Sequence, residues 1–129
     1  MVTKEDVESY LMRLEQAPEE VEPGMWVLQD GETGGKLVVH YSPPLLLLRT
    51  KVMQVPAEGT DCTELYRRLL ELNATDVVHG AYGIEEGDVI LSDALQLENL
   101  DFNEFQASVD SLQVAIASHM ETLAPYRDC

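Results

Sequence analysis

The run Leu45-Leu46-Leu47-Leu48, opened by Pro43-Pro44 and continued through Val52-Met53 to Val55, is the strongest constraint on how this chain folds. Successive side chains of a strand point to opposite faces, so a sheet covered on one face only alternates apolar with polar residues. Four consecutive leucines are apolar on both faces and ask for cover on both. The two prolines cannot donate to a ladder and separate this strand from the one before it. Val77-Val78 repeats the tendency more weakly. The candidate surface for a second copy or for a partner is therefore Leu45, Leu46, Leu47, Leu48, Val52, Met53, Val77 and Val78. The competing reading is a central strand whose second face is covered by the first helix or by a dimer mate.

Around this strand the periodicities predict a simple order. A helix is expected from Lys4 to Gln16, because Val7, Tyr10, Leu11 and Leu14 recur at helical spacing and Thr3 can cap it. Val2 and Val7 are spaced for a hydrophobic staple. Pro18, Glu19, Glu20, Glu22 and Pro23 read as a solvated connection. Strands follow at Met25 to Gln29, Leu37 to Tyr41 and Leu45 to Val55, the first two joined by Asp30-Gly31-Glu32-Thr33-Gly34-Gly35 as a hairpin.

Asp61 and Glu64 predict a capping box for a helix from Cys62 to Asn73, and two more strands are expected at Val77 to Tyr82 and Val89 to Leu95. A last helix starts at Asp101, with Leu100 and Phe105 as its staple, and ends by Pro125. Its apolar face includes Phe102, Phe105, Val109, Leu112, Ile116 and Leu123, with His119 where one more apolar residue would fall. The expected fold is α+β: one five-stranded antiparallel sheet with packed helices, in the order α-βββ-α-ββ-α, as a single domain over residues 1–129.

Charge limits the partners. Twenty-four Asp and Glu against eight Lys and Arg give a formal charge of −16, and no Lys or Arg occurs between Leu69 and Tyr126. Such a chain disfavours direct contact with nucleic-acid phosphates or an anionic bilayer; a charged partner should be basic. There is no secretory leader and no apolar run long enough to span a membrane, so the cytoplasm is the expected location. In that setting the sequon at Asn73 has no use. Cys62 and Cys129 show no metal spacing and predict no disulfide framework.

Chemical motifs are sparse. If Glu104 closed a calcium loop, Asp93 would open it, but Leu95, Leu97 and Glu98 stand where two oxygen ligands and a glycine are needed. Asp101 and Glu104 read better as a capping box. His40, His79 and His119 fall on different elements without a metal triad and read as structural; His119 in the apolar seam is a candidate for a partly buried polar group at a dimer interface that responds to pH. No nucleophile elbow, phosphate loop or zinc-protease helix occurs, and Gly80 and Gly83 inside a strand point to a bulge or close backbone approach. The expectation is a non-enzyme without cofactor or metal.

The stretch ELNATDVVHGAYGIEEGDVILSDALQLENLDFNEFQASVDSL resembles the YbjN family of bacterial proteins, which look like type III secretion chaperones of the CesT/Tir kind in fold. The resemblance rests on Leu72-Asn73, the glycine-broken His79-Gly80-Ala81-Tyr82-Gly83, the hairpin and the helix start at Leu100; residues 1–60 match in element order. It carries no catalytic residue. It implies a homodimer that acts as a protein-binding adaptor or chaperone for a segment of a client. The charge favours a basic client, such as a nucleic-acid-binding protein. Two alternatives accompany it: an acidic nucleic-acid mimic that blocks such a protein, and a regulator in a stress or sensory pathway.

Overall fold

Alternation along Leu45–Gln54 organises the molecule. Leu46 and Leu48 are completely buried and Thr50 nearly so, while Leu45, Leu47 and Arg49 on the other face are only half-buried. The computed structural model describes residues 1–31, 34–57 and 59–129. Its elements are α1 (Lys4–Arg13), β1 (Glu19–Glu22), β2 (Met25–Gln29), β3 (Lys36–Ser42), β4 (Leu45–Gln54), α2 (Thr63–Thr75), β5 (Ala81–Glu85), β6 (Asp88–Gln96), α3 (Phe102–Leu123) and a closing 3₁₀ turn, α4 (Ala124–Tyr126).

The sheet runs β1-β2-β3-β4-β6-β5 with every neighbouring pair antiparallel. Because β6 lies between β4 and β5, those two are parallel to each other, and α2 makes the crossover that such a pair requires. The α+β antiparallel architecture stands as expected, with six strands in place of five. The added strand is β1, in the acidic segment read as a connection. All four of its residues are exposed, so it pairs with β2 through main-chain hydrogen bonds without burying side chains, and hydrophobic patterning is blind to it.

Two further boundaries move. Gly80 adopts φ +83°, where a Cβ would collide with the Ser92 carbonyl, so the strand begins at Ala81 and residues 77–80 form the connection from α2. The predicted Asp61–Glu64 box is absent: the cap position is Cys62 without a side-chain cap bond, and the Asp61 carboxylate accepts from the Thr63 N–H and hydroxyl. Thr3 and Asp6 do form a reciprocal box on α1, and Asp101 accepts from the Glu104 N–H to cap α3. In the β2–β3 hairpin, Glu32 and Thr33 lie outside the described residues. The β5–β6 hairpin turns through Glu86 and Gly87, both at positive φ, as a two-residue turn between twisted strands requires.

One core joins the sheet to all three long helices: Val7 and Leu11 of α1, Leu65, Leu69 and Leu72 of α2, and Phe105, Val109 and Leu112 of α3 meet Trp26, Val39, Leu46, Leu48 and Leu91. Tyr10 fastens α1 to α3, stacking near Phe102 and Phe105 and donating to the Leu100 carbonyl. Cys62 and Cys129, for which no disulfide was expected, are bonded to each other across 67 residues of sequence. No described helix is long and apolar enough to cross a membrane.

The two faces of β4 predict unequal losses. Leu48→Ala should cost about 2–5 kcal/mol of unfolding free energy in urea, as fully buried leucines do. Leu47→Ala, on the half-buried face, should cost clearly less.

Candidate functional site

The buried helix residues all converge on one side of the sheet, and its other side has no layer over it among the described residues. Register shows what that open face presents. Met25, His40, Leu47 and Ala94 lie in one row across β2, β3, β4 and β6. The next row is Val27, Val38, Arg49, Ser92 and Ala81. Leu45 continues the face toward one end of β4, and Lys51 with Ile90 toward the other. Met25, Val27, Val38, Leu45, Leu47 and Ile90 are all half-buried, so the face is an apolar floor shielded only by its own neighbours. Two of its cations are tied to the β5–β6 hairpin: Arg49 pairs with Glu85, and Lys51 with Asp88 at 3.3 Å.

The eight residues singled out from sequence fall in four places. Leu45 and Leu47 lie on the open face. Leu46 and Leu48 are core residues, not surface, because the period of two sends them under the helices. Val52 and Met53 sit at the irregularity of the β4–β6 ladder and line a groove of about 350 Å³ with Tyr82, Ile116, His119 and Met120. Val77 packs against the core, while Val78 is 81% exposed on the α2–β5 connection.

The CesT_Tir_1 family model matches residues 1–128. The chain belongs to the CesT_Tir_1 family. Solved structures carry the same fold. A chain of the ExsC–ExsE complex superposes with a TM-score of 0.67 at 20% identity, over 94% of this chain and 96% of that one. A chain of the heterodimeric ExoU–SpcU complex from the type III secretion system of Pseudomonas aeruginosa gives 0.66 at 16% identity, over 93% and 96%. YbjN from E. coli gives 0.66 at 12% identity, over 91% and 90%. At such identities the likeness shows the fold, which is both CesT-like and YbjN-like. No curated protein matches the sequence.

In this CesT_Tir_1 member the two sheet edges differ. On β5 the Asn73 side chain accepts from the Tyr82 N–H at 2.7 Å and donates to the Tyr82 carbonyl at 3.2 Å. It thereby takes both main-chain groups that an added strand would use there. Leu72-Asn73 was part of the family resemblance, and this clamp is a physical role for it that no local sequence signal announces. At the opposite edge, β1 presents Glu19, Glu20 and Glu22 with an exposed Val21. Glu20 is engaged by the Gly24 N–H and by Lys4, which together hold its carboxyl below the usual range.

Behind β5, the 4% exposed His119 of α3 joins three elements. Its Nδ1 lies 2.6 Å from the Tyr82 hydroxyl and its Nε2 lies 3.3 Å from Asp76 Oδ2 at the end of α2. A neutral ring that donates from Nε2 to the carboxylate accepts from Tyr82 at Nδ1, so every polar atom is paired. The Thr75 hydroxyl, and then His119, hold the Asp76 carboxyl below its ordinary value. Burial, and then the Asp76 charge, push the Tyr82 hydroxyl up to about 12. His40 lies on the open face, and the exposed His79 donates its N–H to Ser111 Oγ. Asp93 accepts from Ser108 Oγ at 2.7 Å, and no group of three or more His, Cys, Asp or Glu is placed to hold a metal among the described residues.

Tyr82 yields a pH prediction. Its folded value lies above the ordinary one, so the stability linked to its proton is complete below about pH 10 and is lost as pH rises toward about 12. Tyr82→Phe leaves His119 Nδ1 unpaired and should cost about 1–3 kcal/mol at neutral pH. The gap between wild type and variant, measured by urea unfolding, should shrink between about pH 10 and about pH 12.

Proposed function

We propose that this protein is a non-enzymatic, homodimeric chaperone or adaptor that binds a segment of a client protein along the open face of its sheet. The observation that carries the reading is the one-sided sheet: an apolar floor centred on Leu45, Leu47, Met25 and Val38, left without a covering layer on a CesT_Tir_1 fold. Proteins of this fold include a chain of the HopA1–SchA chaperone–effector complex and the Yersinia pestis secretion chaperone SycH, solved with a fragment of YscM2. A protein client is thus the partner class that the fold favours.

Two features support a basic, extended client in the cytoplasm. The net charge is −16, and the open edge strand β1 is lined with glutamates. An extended segment that adds to β1 would gain main-chain hydrogen bonds there while its cations met Glu19 and Glu22. For the homodimer, Tyr66 and Leu70, one turn apart, form an exposed apolar stripe on α2, and Ile84 on β5 is exposed as well. That stripe lies away from the open face, so a second copy and a client need not compete.

Both parts have direct tests. Light scattering should give twice the 14.4 kDa chain mass, and Leu70→Asp should reduce it to one chain. Native extract passed over immobilised protein should leave one protein bound in roughly equal amount through a 1 M salt wash, where the screening length is about 3 Å. Leu47→Glu, outside the core, should abolish that retention while leaving the urea transition cooperative. Release of nucleic-acid-binding proteins by the salt alone would replace this reading with the nucleic-acid mimic.

A further inference from the structure

We infer that Cys62 and Cys129 form a reversible thiol switch that holds the 124–129 segment against the start of α2 and so governs the groove between α3 and β4. These are the two cysteines of the chain, with Cα atoms 5.1 Å apart and 67 residues between them in sequence. That separation of Cα atoms is within the range of ordinary disulfides. Cys62 is 5% exposed at the cap position of α2, whereas Cys129 is exposed.

The bond sits where it can act on the groove. Ala124 and Arg127 form one wall, facing Val52, Met53, Ile116 and Met120. Among the described residues, 127–129 makes only local main-chain hydrogen bonds, from Arg127 N to the Ala124 carbonyl and from Cys129 N to the Tyr126 carbonyl. Tyr126 rests partly on the core. The disulfide is therefore what ties the end of this wall to α2. Once it opens, the wall stays joined to α3 through the Ala124 N–H bond to the Met120 carbonyl and to the core through Leu123 and Tyr126, while its far end at Arg127 is released and the groove can widen beside Met53 and Met120.

The position of Cys62 also favours it as the leaving group. A sulfur at a helix N-terminus is stabilised as thiolate by the N–H groups of the first turn; Cys62 itself caps none of them, and Asp61 takes the Thr63 N–H. Asp61 and Glu64 flank it and oppose that charge; Asp61 is already engaged by Thr63. In the exchange, a dithiol reductant attacks the accessible Sγ of Cys129 as thiolate. The Sγ–Sγ bond breaks and Cys62 leaves with the electron pair. The second thiol of the reductant, after losing its proton, then displaces Cys129 from the mixed disulfide. Two electrons pass to the protein, two protons complete its thiols, and the reductant ends as a cyclic disulfide.

Methionine methyl NMR of the full chain, oxidised with glutathione disulfide and then reduced with dithiothreitol, tests this. Met53 and Met120 report on the groove, while Met12 on α1 and Met25 on the open sheet face serve as controls. Reduction should shift Met53 and Met120, leave Met12 and Met25 unmoved, and reverse on reoxidation. Cys129→Ser should show the reduced pattern under both conditions. Binding of the apolar dye anilinonaphthalene sulfonate should rise on reduction and be suppressed by Met53→Glu. The inference fails if the thiols stay free under glutathione disulfide, or if the groove methyls do not move. It fails equally if all four methyls move together, for the bond is then a staple of the whole fold.

Discussion

Burial on one side only is the constraint from which the rest follows. The chain has enough apolar surface for one core, and all three long helices spend it on the face of Leu46, Leu48, Leu91 and Val39. Each fully buried leucine contributes about 1.5–3 kcal/mol there. What remains is a second face with leucines, valines and a methionine but no layer among the described residues. Half-buried apolar side chains in adjacent rows are what a partner surface covers, which makes the face a question about partners.

The helices grip the sheet from behind. Asn73 takes hold of β5 through its main chain, and His119 links the Tyr82 side chain to Asp76, so the end of α2, the edge strand and α3 are joined by side-chain hydrogen bonds. At the other side of the sheet, Lys4 of α1 reaches Glu20 of β1 at 3.1 Å. Of the buried polar side chains, Ser108 and His119 fasten helix to strand, and Thr50 ties β4 to the Lys36 carbonyl of β3.

Much of the architecture was legible because it is written in short-range patterns. Thr3 with Asp6, Asp101 before Phe102, and the staples at Val2 and Leu100 announce helix starts with nearby partners. The unbroken apolar run Leu45–Leu48 identified the decisive strand, but not which leucines face inward. Four consecutive leucines carry no phase, and register comes from Val39 and Leu91 on neighbouring strands. The acidic β1 escaped notice because main-chain pairing needs no apolar residue. The Asn73 clamp and the Cys62–Cys129 bond were invisible for another reason: each joins positions that only the finished topology makes adjacent.

The asymmetry of the sheet edges gives strand addition a preferred side. A sheet with two available edges is a monomer for polymerisation, since every strand that docks on one side leaves another site on the opposite side. With Asn73 holding both main-chain groups of Tyr82, a strand that docks at β5 forfeits those bonds, whereas β1 carries no such clamp among the described residues. The sheet thus offers an approaching strand one favoured side in place of two equivalent ones.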